Sequence, residues 1–203
     1  MLAILNYGFI DFNQESHTDA ISYLNKSDTS RSEFHKLSHI KKVLDNIDKN
    51  LFSSFIGIMV FDALVGQTDR HEENWGIIYG KNNEYRLSPL YDNGSSLLDK
   101  FFDKEYLEKF EKSGRNIVDY SKSSKTYIYK EDKSKFSHFE LIEYLVKNNY
   151  DDVIIYLEKL KNLSNEDIVK IVNAIPKEML TEKHREYIIK YLKERRDILL
   201  SFI

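Results

Sequence analysis

Nine of the 203 residues are glycine or proline, and five of those nine (Gly66, Gly76, Gly80, Pro89 and Gly94) sit in one short window. A chain so poor in breakers and rich in Leu, Ile, Lys and Glu is expected to be mostly helical. The cluster marks an irregular segment embedded in that helical chain. The expected fold class is therefore mainly α with a small β-hairpin, and a loop-rich insert held by a rigid scaffold is where a site is expected.

Outside the window the apolar residues set the elements. Phe34, Leu37, Ile40, Leu44 and Ile47 recur at steps of three and four, predicting a helix from Ser32. Leu51 to Val65 is apolar nearly all round, which predicts a buried central helix. Residues 103–111 predict a short charged surface helix, and Phe136–Lys147 and Val153–Leu160 two more amphipathic ones. Ser164-Asn-Glu-Asp167 reads as a capping box opening a helix that ends before Pro176, and Thr181 caps a last helix running to about Ile203. Leu2 to Phe12 is expected to be a strand or the tail of one. Asp11 to Ser30 is expected to be polar and turn-like, and Gly114 to Ser134 a long mobile loop. No repeat, low-complexity tract or sharp domain boundary is visible.

Composition removes several function classes. Thirty Lys and Arg against 33 Asp and Glu give a net charge of -3, which disfavours a nucleic-acid binder working by phosphate neutralisation. Apolar residues at 41% suffice for a core. Without cysteine there are no disulfides, zinc-thiolate sites or cysteine nucleophiles. The amino terminus lacks a basic region, and Asn6 and Asp11 break its apolar run, so no secretory signal is read there. The longest apolar run, Phe55 to Phe61, is far short of the ~20 residues a membrane span needs. A cytoplasmic protein with no membrane association is expected.

Within the window, Trp75–Tyr79 and Glu84–Leu87 predict two strands joined by a turn at Gly80-Lys81-Asn82-Asn83. That hairpin folds the chain back, so Asn74 at one end and Asp92 at the other become neighbours, with Asp69 close by. A carboxamide and a carboxylate side by side suit a hard cation such as Mg²⁺, completed by phosphate and water. A carboxylate left off the metal can accept a proton from a hydroxyl nucleophile. The bland reading is that Asp, Asn and Gly are common turn residues, and an isolated Asp-x-x-x-x-Asn match means little. Trp75 is read as core rather than a stacking platform. Glu72 and Glu73 are read as a solvated acidic loop face, and Pro89 and Tyr91 as shaping the approach to Asp92.

The wording of the whole segment goes further. From Phe61 to Leu98 an apolar helix is followed by Thr68-Asp69-Arg70-His71, by Asn74-Trp75, by the hairpin, and by Tyr85-Arg86-Leu87-Ser88-Pro89-Leu90-Tyr91-Asp92. In composition, order and spacing this resembles the catalytic segment of the HipA-like serine/threonine protein kinases, often the toxin half of bacterial toxin–antitoxin pairs. The resemblance implies a protein-kinase-like C-terminal lobe using ATP and Mg²⁺. It implies Asp69 as catalytic base, and Asn74 and Asp92 as metal ligands. Asp92-Asn93-Gly94 stands where kinases carry Asp-Phe-Gly, so the packing switch that the Phe provides is missing. His71 is expected to support the loop by hydrogen bonding. Arg70 either reaches a phosphate or pairs with Asp62, the pair being favoured, and Asp62 is expected to brace the amides after Gly66.

A complete kinase also needs a phosphate-covering loop and a Lys–Glu pair. Before Asp69 stand only Gly8, Gly57 and Gly66, and Lys26, Lys36, Lys41, Lys42 and Lys49 lie in polar or amphipathic contexts. The resemblance thus divides the chain into a hinge or inter-lobe remnant, 1–30, and a helical kinase lobe, 31–203. The N-terminal lobe is expected to be absent, an apolar docking face is expected near Leu2–Phe12, and activity of the isolated chain is expected to be weak. A protein substrate, not identified by the sequence, and an N-terminal lobe or antitoxin-like protein are the expected partners. The competing readings are a non-catalytic kinase-like interaction module and, more weakly, a small-molecule phosphotransferase of the aminoglycoside-kinase type. The latter carries a His-Gly-Asp lead-in where this chain has Gly66-Gln67-Thr68.

Overall fold

The computed structural model describes residues 10, 11, 14–25, 30–81 and 83–203. Of the strand and docking face expected at Leu2–Phe12 only Ile10 and Asp11 are described, and they are not in a strand; the rest of that stretch and Asn82 of the hairpin turn lie outside the described residues. In chain order the elements are β1 (Glu15–Asp19), α1 (Ile21–Leu24), α2 (Arg31–Phe34), α3 (Leu37–Ile47), α4 (Lys49–Val65), β2 (Gly76–Gly80), β3 (Tyr85–Leu87), α5 (Lys104–Lys112), α6 (Ile117–Lys122), β4 (Lys125–Tyr129), β5 (Lys135–Ser137), α7 (His138–Asn148), α8 (Tyr150–Lys159), α9 (Asn165–Asn173) and α10 (Glu182–Leu200). The chain is mainly helical, with two small sheets.

Two compact units form. The first contains the described residues of Met1–Ile58 together with Asp69–Asn93 and Tyr127–Lys135. Its sheet is antiparallel in the order β1-β2-β3. Glu15 stands opposite Gly80 and Asp19 opposite Gly76, while Ile77 faces Leu87 and Tyr79 faces Tyr85. The hairpin is as expected; the third strand is not, because Glu-Ser-His-Thr-Asp has no apolar alternation to announce it. Ile77 and Ile78 are both buried, so β2 is covered on both faces. Leu37, Ile40 and Leu44 form the buried stripe of α3. Trp75 packs on Phe55 with ring centroids 4.4 Å apart, and at 2% exposure it is core.

The helix expected from Ser32 is two pieces. Lys36 is extended (ψ 143°) and bridges in parallel to Tyr129, whose N–H donates to the His35 carbonyl at 3.1 Å. That long-range bridge takes the backbone groups a continuous helix needs.

The second unit contains Met59–Thr68, Gly94–Thr126 and Phe136–Ile203. Its core joins Leu98, Phe101, Phe110, Ile117, Ile168, Val172, Ile188 and Tyr191. The capping box at Ser164 is present with Asp167, and Thr181 caps α10. A second box, Ser137 with Glu140, opens α7. The stretch from Gly114 to Ser134, expected as a loop, instead holds α6 and β4. Thr126 and Ile128 alternate inward along β4, a period of two that the Ser and Lys residues around them obscure.

Candidate active site

The site begins where α4 stops. Gly66 takes a left-handed conformation (φ 70°), and the Gln67 N–H donates to the Asp62 carbonyl at 3.0 Å. This is the Schellman closure of a helix with glycine at its first non-helical position. A side chain at Gly66 has no room, since a Cβ there would lie 1.9 Å from the Tyr191 hydroxyl. Asp62 is buried and belongs to the second unit, and its carbonyl holds the amide after Gly66.

The loop that follows lies in the first unit, as do all the other expected site residues. Asn74 is buried; its N–H donates to the His71 carbonyl at 2.9 Å, and its side-chain amide donates to the Asp69 carbonyl at 2.7 Å. Using Nδ2 in this way leaves the amide oxygen, a hard donor, on the opposite side of the group. The His71 ring accepts the Glu73 N–H through Nδ1 at 3.2 Å, which assigns the ring proton to Nε2.

Arg70 draws both ends of the hairpin together. It is 3% exposed, and its Nη1 donates to the Asn74 carbonyl at 2.9 Å and to the Tyr91 carbonyl at 2.6 Å, while Nη2 donates to Asn93 Oδ1. One guanidinium thus ties the residue after Asp69 to Asn74 and to both neighbours of Asp92. These bonds give Arg70 a backbone-pinning role that neither expectation for it foresaw.

Asp92 is exposed and left-handed (φ 48°). Such a conformation is uncommon outside glycine, although Asp tolerates it better than most, and strain of this kind collects at functional sites. The approach to Asp92 is fixed from β1. The Tyr91 hydroxyl donates to Asp19 Oδ1 at 3.1 Å, and His17 meets the Tyr91 ring edge-on. Burial, with the Asp19 carboxylate adding to it, raises the Tyr91 phenol above its ordinary range, so it stays a donor.

The structure therefore ties the Asp69 backbone to the Asn74 side chain and, through Arg70, ties Asn74 to the two residues flanking Asp92, with Asp69 half-exposed and Asp92 open. Among the described residues no group of three or more His, Cys, Asp or Glu side chains could hold a metal. The candidate donors are instead one carboxamide oxygen, at Asn74, and one carboxylate, at Asp92. That is too few ligands for a closed all-protein cage, and it fits Mg²⁺ carrying phosphate and water.

One sequence reading of this loop is overturned. Glu73 is exposed as expected, but Glu72 is completely buried and ion-paired to Arg31, with 2.6 Å between Nη2 and Oε1. Arg31 also donates to the Tyr127 hydroxyl at 2.9 Å. Neither Arg31 nor Tyr127 is marked by any local pattern; only the three-dimensional pairing discloses them.

Comparison with known proteins adds three findings. Residues 6–101 match the model of the HipA-like C-terminal domain. The serine/threonine-protein kinase CtkA of Helicobacter pylori is 26% identical over 152 residues, covering 72% of this chain and 44% of CtkA. The chain thus spans under half the length of that curated relative. The crystal structure of the H. pylori proinflammatory kinase CtkA aligns with a TM-score of 0.73 and 23% identity, over 94% of this chain and 73% of that one, and this likeness shows the fold.

Proposed function

We propose that this chain, whose residues 6–101 match the model of the HipA-like C-terminal domain, carries the acceptor- and metal-handling part of an ATP-dependent protein serine/threonine kinase. The observation that supports this most is the Arg70 knot. A buried arginine spent on two carbonyls and an amide oxygen holds the loop of Asp69 and Asn74 against the turn of Asp92. Turn chemistry alone needs no such tie.

In this reading Asp69 accepts the proton of a Ser or Thr hydroxyl on the substrate protein as its oxygen bonds to the γ-phosphorus and the bond to ADP breaks. The Asn74 amide oxygen and the Asp92 carboxylate hold the cation. Mg²⁺ at that position supplies charge neutralisation on the phosphates. Arg70, Asn74 Nδ2 and His71 fix the loop, so the donors are set before reaction and little reorganisation is needed. A phosphate-covering lobe from another segment or another protein completes the cradle, and a cytoplasmic location accords with ATP as co-substrate. Among the described residues no helix is long and apolar enough to cross a membrane.

Thermal unfolding with increasing Mg·ATP tests the reading. A ligand bound only by the folded state at a hundredfold its Kd adds about 2.7 kcal/mol. Wild type is expected to gain melting temperature, and Asp92→Ala to lose that gain while keeping its own far-UV spectrum and transition. An equal gain in both proteins, or none in wild type, overturns the proposal.

A further inference from the structure

The buried carboxylate of Glu72 is the least economical feature of the first unit. Arg31 places both Nε (2.7 Å) and Nη2 (2.6 Å) on the same oxygen, Oε1, so Oε2 is buried without a hydrogen-bond partner among the described residues. His35, also completely buried, donates through Nδ1 to the Tyr127 carbonyl at 2.8 Å, since a carbonyl can only accept. Its Nε2 is then a second buried acceptor without a donor. Around them Tyr127 receives the Arg31 bond on its hydroxyl, the Arg31 guanidinium over its ring and the edge of His71.

In this pair Glu72 is fully desolvated while the Arg31 side chain stays 43% exposed, so the carboxylate bears the burial cost against a partly screened partner. A pair that buries a charge seldom adds net stability over apolar residues of the same shape, and each unmet acceptor subtracts more. This cluster is a poor device for stabilising the fold. What it does hold is position. Glu72 lies between His71 and Asn74, and its carbonyl receives the Ile21 N–H at 3.1 Å. Its side chain is the point at which α2 and β4 grip the loop of Asp69 and Asn74.

We infer that Glu72, clamped by Arg31, which Tyr127 in turn holds, is a positioning residue that sets the conformation of the loop bearing Asp69 and Asn74, rather than a contributor to stability. As a statement about catalysis this rests on the phosphotransfer reading; as a statement about the loop it does not.

The test separates stability from position. Three proteins are compared with wild type: Arg31→Met, Glu72→Met and the double variant. Three quantities are read: melting temperature, hydrogen exchange at the Ile21 and Asn74 amides, and Mg·ATP affinity. Each single change is expected to lower the melting temperature, Arg31→Met because it strands a buried carboxylate. The double variant is expected to regain the melting temperature, yet to exchange those two amides at least tenfold faster than wild type and to bind Mg·ATP at least tenfold more weakly. Restored exchange in the double variant, alongside restored melting temperature, overturns the inference. If a single variant does not fold, the double variant decides alone. If wild type binds no Mg·ATP, the kinase reading fails, while exchange at Ile21 and Asn74 still decides the clamp.

Discussion

Replacing Gly66 with Ala should be among the most damaging small substitutions in this protein, and its cost can be assembled from two terms. The first is backbone. Gly66 sits at φ 70°, where an L-residue loses about 1–2 kcal/mol. The second is space. The new Cβ would lie 1.9 Å from the Tyr191 hydroxyl, 2.9 Å from Cζ and 3.1 Å from Cε1. Tyr191 cannot easily yield, because it is 2% exposed and Arg195 donates to its oxygen at 3.2 Å. Overpacking of this sort costs about 1–3 kcal/mol, so the total is about 2–5 kcal/mol. Urea unfolding followed by circular dichroism measures it. A double-mutant cycle then divides the terms. Tyr191→Phe deletes the atom at 1.9 Å, so Gly66→Ala should cost about 1 kcal/mol less or better in that background, while the backbone share persists. A Gly66→Ala protein within about 0.5 kcal/mol of wild type, the ordinary range for harmless surface changes, would refute the reasoning. So would a cycle with no coupling.

Other outcomes follow from the same geometry. Burial lowers the His35 imidazole to about 4 and the His138 imidazole to about 3. Unfolded histidine titrates near 6.5, so below that pH the unfolded chain binds protons that the folded chain refuses. Stability is therefore full above pH 6.5 and falls as the solution is acidified toward pH 4, by on the order of 3 kcal/mol for His35 alone. Carboxylates held low in the fold, such as Glu33 beside Lys133 at about 2, add their losses only at more acid pH. Urea midpoints at pH 7, 6 and 5 should decline in order, and a flat series would contradict the buried neutral histidines. Ser164→Ala removes the oxygen that accepts the Asp167 N–H and should cost about 1 kcal/mol, read by the same unfolding assay; Ser137→Ala at the start of α7 should behave alike.

These positions also show which parts of the molecule a sequence discloses. α3, α4, α9 and α10 were legible because their signals are local: apolar spacing, a Ser or Thr cap, a glycine after the last turn. The hairpin was legible for the same reason, and so was the approach of Asn74 to the chain beside Asp92, where Arg70 bridges the Asn74 and Tyr91 carbonyls. β1 was not. Its five residues have no inward-facing apolar set, and what seats them is a fit across the sheet: a Cβ on Gly76 would come within 2.4 Å of the His17 ring, so the bare glycine makes room for that histidine. The break before α3 likewise depends on Tyr129, far along the chain.

The loop from Gly66 to Asn74 divides in the same manner. Gly66 and Asn74 act through backbone geometry close to them in sequence, and their residue types betray it. Arg70 and Glu72 do not, because a charged residue in a polar loop reads as solvated until its partner is known. Arg31, the partner of Glu72, stands 41 residues upstream, and the Tyr91 and Asn93 oxygens that engage Arg70 stand 21 and 23 residues downstream. A buried charge is tolerated only with a partner, so wherever a loop charge is buried, the distant residue that neutralises it belongs to the site as much as the loop does. By that criterion Arg31 belongs with the Asp69–Asn74 loop although no motif contains it, and removing it together with Glu72 should leave the loop disturbed even where the melting temperature is regained.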